Sequence, residues 1–389
     1  MSGYQQRNGM LRGRSGAAWR ATIGAIAAGS AATSQAAWDL NLQTPVTESA
    51  RQAFALHSTM LWIITLIFVG VFAVVTWSLI FHRKSSGRKP ATFHDNTLVE
   101  ILWTAIPFLI LIVIAFPATK ALVGMRDTTQ PDLTVKVTGY QWKWGYEYLS
   151  GDASGIKYMS VLSTPRDQIE NQAPKGEHYL LEVDNPMVVP VGKKVRILTT
   201  AADVIHNWSI PAFAVKVDAV PGFVRDAWFR AEKEGTYRGQ CSELCGKDHG
   251  FMPVVVNVVS EAKYAEWVAA KQKEMAAAAE DPGKVWTQAE LSARGEKIYA
   301  TNCAACHQPN GAGLPPAFPA LNGSKVAKGA KEGHIGIVLN GKPGTAMAAY
   351  AGQLSDTDIA AVVTYERNAW DNKLGDFVQP AEVKALRGK

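Results

Sequence analysis

The sequence predicts three architectures in series: a two-helix transmembrane hairpin, an all-β sandwich or barrel, and a small all-α domain. Three observations support this order. Two apolar runs near the N-terminus are each about the ~20 residues that a bilayer-crossing helix needs. A middle region breaks into short β-rich runs of period two. The remaining third returns to helical patterns with capping signals. At 389 residues the chain has room for two or three domains, and its hydrophobic content of 47% suits a protein that is part membrane and part water-exposed.

The first stretch, 1–36, reads as a secretory signal. Arg7, Arg12, Arg14 and Arg20 form a basic region, small apolar residues follow over 21–33, and Ser34-Gln35-Ala36 offers a cleavage site. The anchor is expected over 37–125, with spans at 59–81 and 101–123. The loop between the spans carries Arg83, Lys84, Arg88 and Lys89, so the positive-inside rule places it in the cytoplasm and both flanking segments outside. Pro107 and Pro117 in the second span are tolerable where neighbouring helices re-satisfy the backbone.

The third element spans 126–260. Strand-like runs are expected at 133–148, 179–183, 194–200, 224–231, 235–240 and 254–259, separated by turn signals such as Asn185-Pro186 and Pro221-Gly222. An Ala/Lys/Glu-rich helix at 263–279, stopped by Asp281-Pro282-Gly283, marks a linker over 261–284. The last domain, 285–389, should contain helices at 291–301 and 356–369, the latter opened by a Ser355/Asp358 capping box.

The formal charge of +6 does not indicate nucleic acid. Its basic residues gather in the leader and the short loop, and beyond about residue 125 the two signs are interspersed.

All the chemistry sits near four cysteines. Cys241 and Cys245 lie in a stretch that adds His249 and Met252, with His206 upstream. Thiolate, thioether and imidazole are the donors copper prefers. A single-copper blue site needs only one Cys; a second one, four residues on, allows both sulfurs to bridge two ions. Zinc held by two Cys and two His is the competing reading. Met252 and the lack of a Cys-x2-Cys knuckle weigh against it.

This stretch, with His206 and the flanking segments 203–211, 217–222 and 237–240, closely resembles the CuA loop of cytochrome c oxidase subunit II. The resemblance runs from the first membrane helix to about residue 259 and implies a cupredoxin-like Greek-key barrel. It also implies a binuclear copper centre: His206 and Met252 on one ion, His249 on the other, Cys241 and Cys245 bridging. Glu243 would ligate through its backbone carbonyl, and its carboxylate would reach a Mg2+ at the interface with subunit I. The first tryptophan of the aromatic run 139–148, Trp142, would be the point where electrons enter. The other aromatics read as half-buried packing. Glu100, at the start of the second span, would stand at the cytoplasmic mouth of a proton path into subunit I. A solvated helix-end carboxylate is the plainer account of it. One departure is visible: many relatives carry arginine directly after Pro-Gly, whereas this chain reads Phe223-Val224-Arg225.

Cys303-Ala304-Ala305-Cys306-His307 is a motif for covalent haem attachment, with His307 as the proximal ligand. The helix before it, the Pro- and Gly-rich loop 309–316 after it and a later methionine make the domain resemble a class I cytochrome c. That resemblance implies Met347 as the sixth ligand of a haem c. His57, His82, His94, His178 and His334 are expected at the surface or at interfaces.

Together the resemblances imply an electron-accepting subunit of a proton-pumping haem–copper oxidase. It would sit in the inner membrane of a bacterium with both water-exposed domains outside. Its partners would be subunit I, subunit III and a soluble cytochrome c or similar donor, with no nucleic acid. A quinol-oxidase relative would lack the copper ligands, and a nitrous oxide reductase would need a His-rich propeller that this chain does not have.

Overall fold

The computed structural model describes residues 41–89, 92, 94–278 and 284–387. The expected signal segment 1–36 and the Asp281-Pro282-Gly283 stop lie outside them.

Helix α1 spans Glu48–Phe81 and α2 spans Thr97–Met125, with mean hydropathies of 2.6 and 2.5. Both are long and apolar enough to cross a bilayer. Helix α1 starts eleven residues before the expected span, and local chemistry explains why. Thr47 caps it by accepting from the Ala50 N–H, and Glu48 complements the dipole in the first turn. The start is also held against the β domain: Thr47 Oγ1 donates to the Phe213 carbonyl at 3.0 Å, and Arg51 pairs with Glu232. Asn96 caps α2 in the same way, and Pro107 and Pro117 lie inside it.

Ten strands follow: β1 (Leu133–Tyr140), β2 (Lys143–Tyr148), β3 (Lys157–Ser160), β4 (Met187–Pro190), β5 (Val195–Ala201), β6 (His206–Ile210), β7 (Val215–Ala219), β8 (Arg225–Phe229), β9 (Gly235–Cys241) and β10 (Pro253–Val259). A single-turn helix α3, Arg166–Ile169, lies between β3 and β4. One sheet runs β3-β2-β1-β5-β8 and the other β4-β10-β9-β6-β7. The pairing is mixed, since β1 runs parallel to β5 and β4 parallel to β10. A parallel neighbour requires a long crossover rather than a tight turn, which local patterning does not reveal.

The expected run 133–148 is a hairpin broken at Gln141-Trp142, and β1 alternates buried and half-buried residues along its length. The expected strand 179–183 is a turn with one isolated bridge, Leu162–Val183, and it meets the sheet through Glu182, which pairs with Arg238 of β9. Trp144, Tyr146, Tyr148, Trp208, Phe213 and Phe229 fill the space between the sheets. Helix α4, Glu261–Ala278, packs Trp267 beside Tyr148 at 5.2 Å between ring centres. The linker is thus partly structural.

The last domain holds α5 (Gln288–Asn302), α6 (Ala304–His307), α7 (Lys331–Asn340), α8 (Asp356–Asn368) and α9 (Pro380–Leu386). Capping boxes open α5 at Thr287/Glu290 and α8 at Ser355/Asp358. Gly295 allows α5 and α8 to cross closely: a Cβ there would stand 2.1 Å from the Ala361 carbonyl oxygen. Helix α8 buries Ile359, Ala360, Val362 and Val363 beneath α5. Sequence patterning passed over α7 and α9.

Candidate metal and haem centres

The copper-type donors come from three places in the β domain. Strand β6 begins at His206, β9 ends at Cys241, and the loop between β9 and β10 carries Glu243, Cys245, His249 and Met252. The fold closes this loop on the end of β6: the Ser242 N–H donates to the Asn207 carbonyl at 3.2 Å, and Trp144 Nε1 donates to the Met252 carbonyl at 3.3 Å.

The donors meet. Cys241 Sγ lies 3.8 Å from Cys245 Sγ, which lies 3.5 Å from His249 Nδ1 and 3.6 Å from Met252 Sδ. Cys241 Sγ is 3.4 Å from the Glu243 carbonyl oxygen. The donor atoms of His206, Cys241 and Cys245 fall within 4.8 Å of one another, and all three residues are buried. His206 carries the informative defect. Its Nε2 is held by Asp203 Oδ1 at 2.8 Å, but its buried Nδ1 has no hydrogen-bond partner. A buried polar atom with no partner is costly, and here it belongs to a ring already oriented by a carboxylate, as metal-binding imidazoles are.

Either thiol can donate to the other. A hydrogen bond from Cys245, with the neighbouring His206 ring and the Asn207 backbone, holds Cys241 well below the usual thiol range. Its thiolate in turn pushes Cys245 far up. Burial disfavours a charged His206, but the hydrogen bond to Asp203 and the charge of the nearby Cys241 sulfur outweigh it and raise its pKa. Two thiols, two imidazoles and a thioether gathered at one place, all buried but the half-buried His249, fit copper.

Support extends outward. Asp203 Oδ2 accepts from the Gln141 N–H at 2.7 Å. The Cys245 carbonyl accepts from Gln141 Nε2 at 2.9 Å and from Trp142 Nε1 at 3.2 Å. Trp142 is half-buried, so its indole joins the copper loop to the surface. Gly139 makes room for His206, since a Cβ there would stand 2.7 Å from the ring. Sequence reasoning missed Asp203 and Gln141. Asp203, three residues before His206, was the readable signal.

In the last domain, α6 carries both haem-motif cysteines' neighbours and His307. His307 Nδ1 lies 2.9 Å from the Pro319 carbonyl oxygen and so donates to it, which leaves Nε2 as the nitrogen with a lone pair to offer a metal. Cys303 and Cys306 are free thiols. Burial raises the pKa of both. Tyr299 donates to the Gln308 carbonyl at 2.7 Å and pins the turn after the motif. Met347 lies half-buried in the loop after α7. That loop is tied to the end of α5 by Tyr350, whose hydroxyl donates to the Asn302 carbonyl at 2.9 Å. These thiols, this imidazole and this thioether fit a haem c.

His334 corrects an expectation. It is 2% exposed, not at the surface, because its Nε2 meets Glu366 at 2.7 Å inside the domain. Glu100 lies exposed in the first turn of α2, away from both centres, and the Glu243 side chain is exposed on the copper loop.

Residues 133–259 match the model of the cytochrome c oxidase subunit II periplasmic domain, and 35–121 match that of its transmembrane domain. The cytochrome c oxidase subunit 2 of Cereibacter sphaeroides is 42% identical over 231 residues, which cover 56% of this chain and 76% of that protein. The chain belongs to the cytochrome c oxidase subunit II family. The Chondrus crispus member is 37% identical over 240 residues, covering 61% of this chain and 92% of that protein. A solved periplasmic domain of subunit II from Bradyrhizobium japonicum is 44% identical, covers 38% of this chain and 98% of its own, and superposes with a TM-score of 0.34. Residues 289–365 match the model of cbb3-type cytochrome c oxidase subunit III, so a cytochrome domain follows the subunit II part.

Proposed function

We propose that this chain is the electron-accepting subunit of a proton-pumping haem–copper oxidase. It would take electrons from cytochrome c or a similar donor and deliver them to subunit I, where O2 is reduced to water. The observation that carries the reading is the buried cluster of His206, Cys241 and Cys245, with Met252 and the half-buried His249 against the Cys245 sulfur and a His206 Nδ1 that has no hydrogen-bond partner.

Cys241 and Cys245 would bridge two coppers. His206 and Met252 would complete one, and His249 with the Glu243 carbonyl the other. Cys303 and Cys306 would carry a haem c, with His307 and Met347 on its iron. When bound, these groups supply one-electron chemistry: a mixed-valence copper pair and a haem whose potential His/Met ligation raises.

The chain's own residues orient and insulate. Asp203 fixes the His206 ring, the Pro319 carbonyl fixes His307, and Gln141 with Trp142 holds the Cys245 carbonyl. Trp142 reaches the surface from that carbonyl, which supports it as the point where electrons enter the copper domain. The exposed Glu243 carboxylate is free to hold a Mg2+ at the subunit I interface. Glu100 is read as the opening of a proton path. The apolar faces of α1 and α2 suit packing against subunits I and III in a bacterial inner membrane, with both folded domains outside.

The test is anaerobic mixing of the assembled oxidase with reduced cytochrome c. The account expects haem reduction, then copper reduction, and expects Cys303→Ala/Cys306→Ala to interrupt delivery. Copper reduction at an unchanged rate in that variant would overturn the route through the fused domain.

A further inference from the structure

Beside Trp142, at the start of β2, stands Lys143. A lysine next to a hairpin turn ordinarily keeps its ammonium in water, yet Lys143 is 3% exposed. The groups that meet its ammonium belong to the cytochrome domain. Its Nζ bonds the side-chain oxygen of Asn302 and stands 5.4 Å from the centre of the Tyr350 ring. Ammonium over an aromatic face is attractive, more so when water is excluded.

The positions of those two partners matter. Asn302 immediately precedes Cys303, and Tyr350 follows Met347 by three residues. They are joined to each other by the Tyr350 hydroxyl, which donates to the Asn302 carbonyl at 2.9 Å. The seat of Lys143 is therefore built from both segments that would clasp a haem. A second contact lies close by: Lys247 Nζ, on the copper loop, donates to the carbonyl of Ala305 between the two haem-motif cysteines at 3.1 Å. Burial pushes the Lys143 ammonium down to about 8, against the pull of Cys303 and Asp203. A buried cation is a poor source of stability, but its few acceptable partners make it selective for one arrangement.

We propose that Lys143 is a positioning residue that docks the cytochrome domain on the copper domain, in a seat that forms only when the Cys303–His307 and Met347 segments are closed together. The proposal rests on the haem-to-copper reading.

The test is amine-reactive labelling of the full-length, assembled oxidase, read at each lysine by mass spectrometry, with exposed Lys216 as reference. Lys143 is expected to react at least about tenfold more slowly than Lys216 in the loaded protein, as a group released only by opening does. It should react faster than in the native protein in Tyr350→Leu, which keeps Cys303, Cys306, His307 and Met347. Lys143→Glu should slow haem-to-copper electron transfer by about tenfold or more, as loss of docking strength by that factor implies. The absorption of both centres should be unchanged, and Lys143→Arg should restore the rate. Labelling of Lys143 at the Lys216 rate in the native protein, unchanged protection in Tyr350→Leu, or a native transfer rate in Lys143→Glu would each overturn the proposal. A native chain in which Lys143 is protected but haem never reduces copper would overturn the underlying reading instead.

Discussion

Replacing Asp203 by alanine removes the carboxylate that aims His206 at the metal knot. Oδ1 holds His206 Nε2 at 2.8 Å and accepts from the Val204 N–H at 2.7 Å, and Oδ2 accepts from the Gln141 N–H at 2.7 Å, so three donors lose their acceptor at once. His206 is wholly buried, while the Asp203 side chain retains 11% exposure, so water can reach only the edge of the vacated site. One donor stranded in the interior costs about 1–3 kcal/mol. Freeing a metal-binding imidazole from its carboxylate ordinarily weakens metal binding by about 10–100-fold. That range corresponds to about 1.4–2.7 kcal/mol. The assay is competition of the full-length protein against a copper chelator of known affinity, with the haem spectrum as an internal control because the cytochrome domain shares no ligand with this site. Asp203→Asn, which keeps one acceptor oxygen, should fall between native and alanine. Copper affinity for Asp203→Ala within about twofold of native would refute the reasoning, since the imidazole would then need no orienting group.

Gly139→Ala would bring a methyl 2.7 Å from the His206 ring; the overpacking should cost about 1–3 kcal/mol in a thermal melt of the β domain and loosen copper, and an unchanged melt would contradict it. Glu366→Ala would strand His334 in the cytochrome core; a loss of about 1–3 kcal/mol is expected from its unfolding curve. Acid should weaken that domain through two carboxyls: backbone and side-chain hydrogen bonds at Thr287 hold Glu290 down to about 2, and Arg367 holds Asp376 below the usual carboxylate range. Both folded values lie below the unfolded ones, so their stabilisation is complete above the ordinary carboxylate range and fades as pH falls from about 4.5 toward 2. Circular dichroism should show Thr287→Ala with a shallower acid limb, and an identical limb would contradict the assignment.

The features that were legible in the sequence are those written in short-range spacing. The four-residue steps Cys241–Cys245–His249 and the motif ending at His307 name their donors directly, and the spans of α1 and α2 stand out by hydropathy alone. Strand β6 was harder, because every residue of His206–Ile210 is buried and no alternation marks it. The parallel pairing of β1 with β5 depends on partners about sixty residues apart, such as Val135 and Ile197. His334 looked like a surface histidine because its partner Glu366 lies 32 residues onward on another helix. Lys143 and Asn302 are separated by 159 residues and two domains; nothing local announces that meeting.

The most direct test of the central claim is electron paramagnetic resonance of the oxidised, full-length protein, with copper and iron counted in the same sample. The account predicts two coppers and one haem iron per chain, a multi-line mixed-valence copper signal, and its loss in Cys245→Ser with the low-spin haem signal retained. One copper per chain with a single-ion signal, or zinc in its place, would contradict the Cys241–Cys245 bridge and leave this chain a membrane-tethered cytochrome.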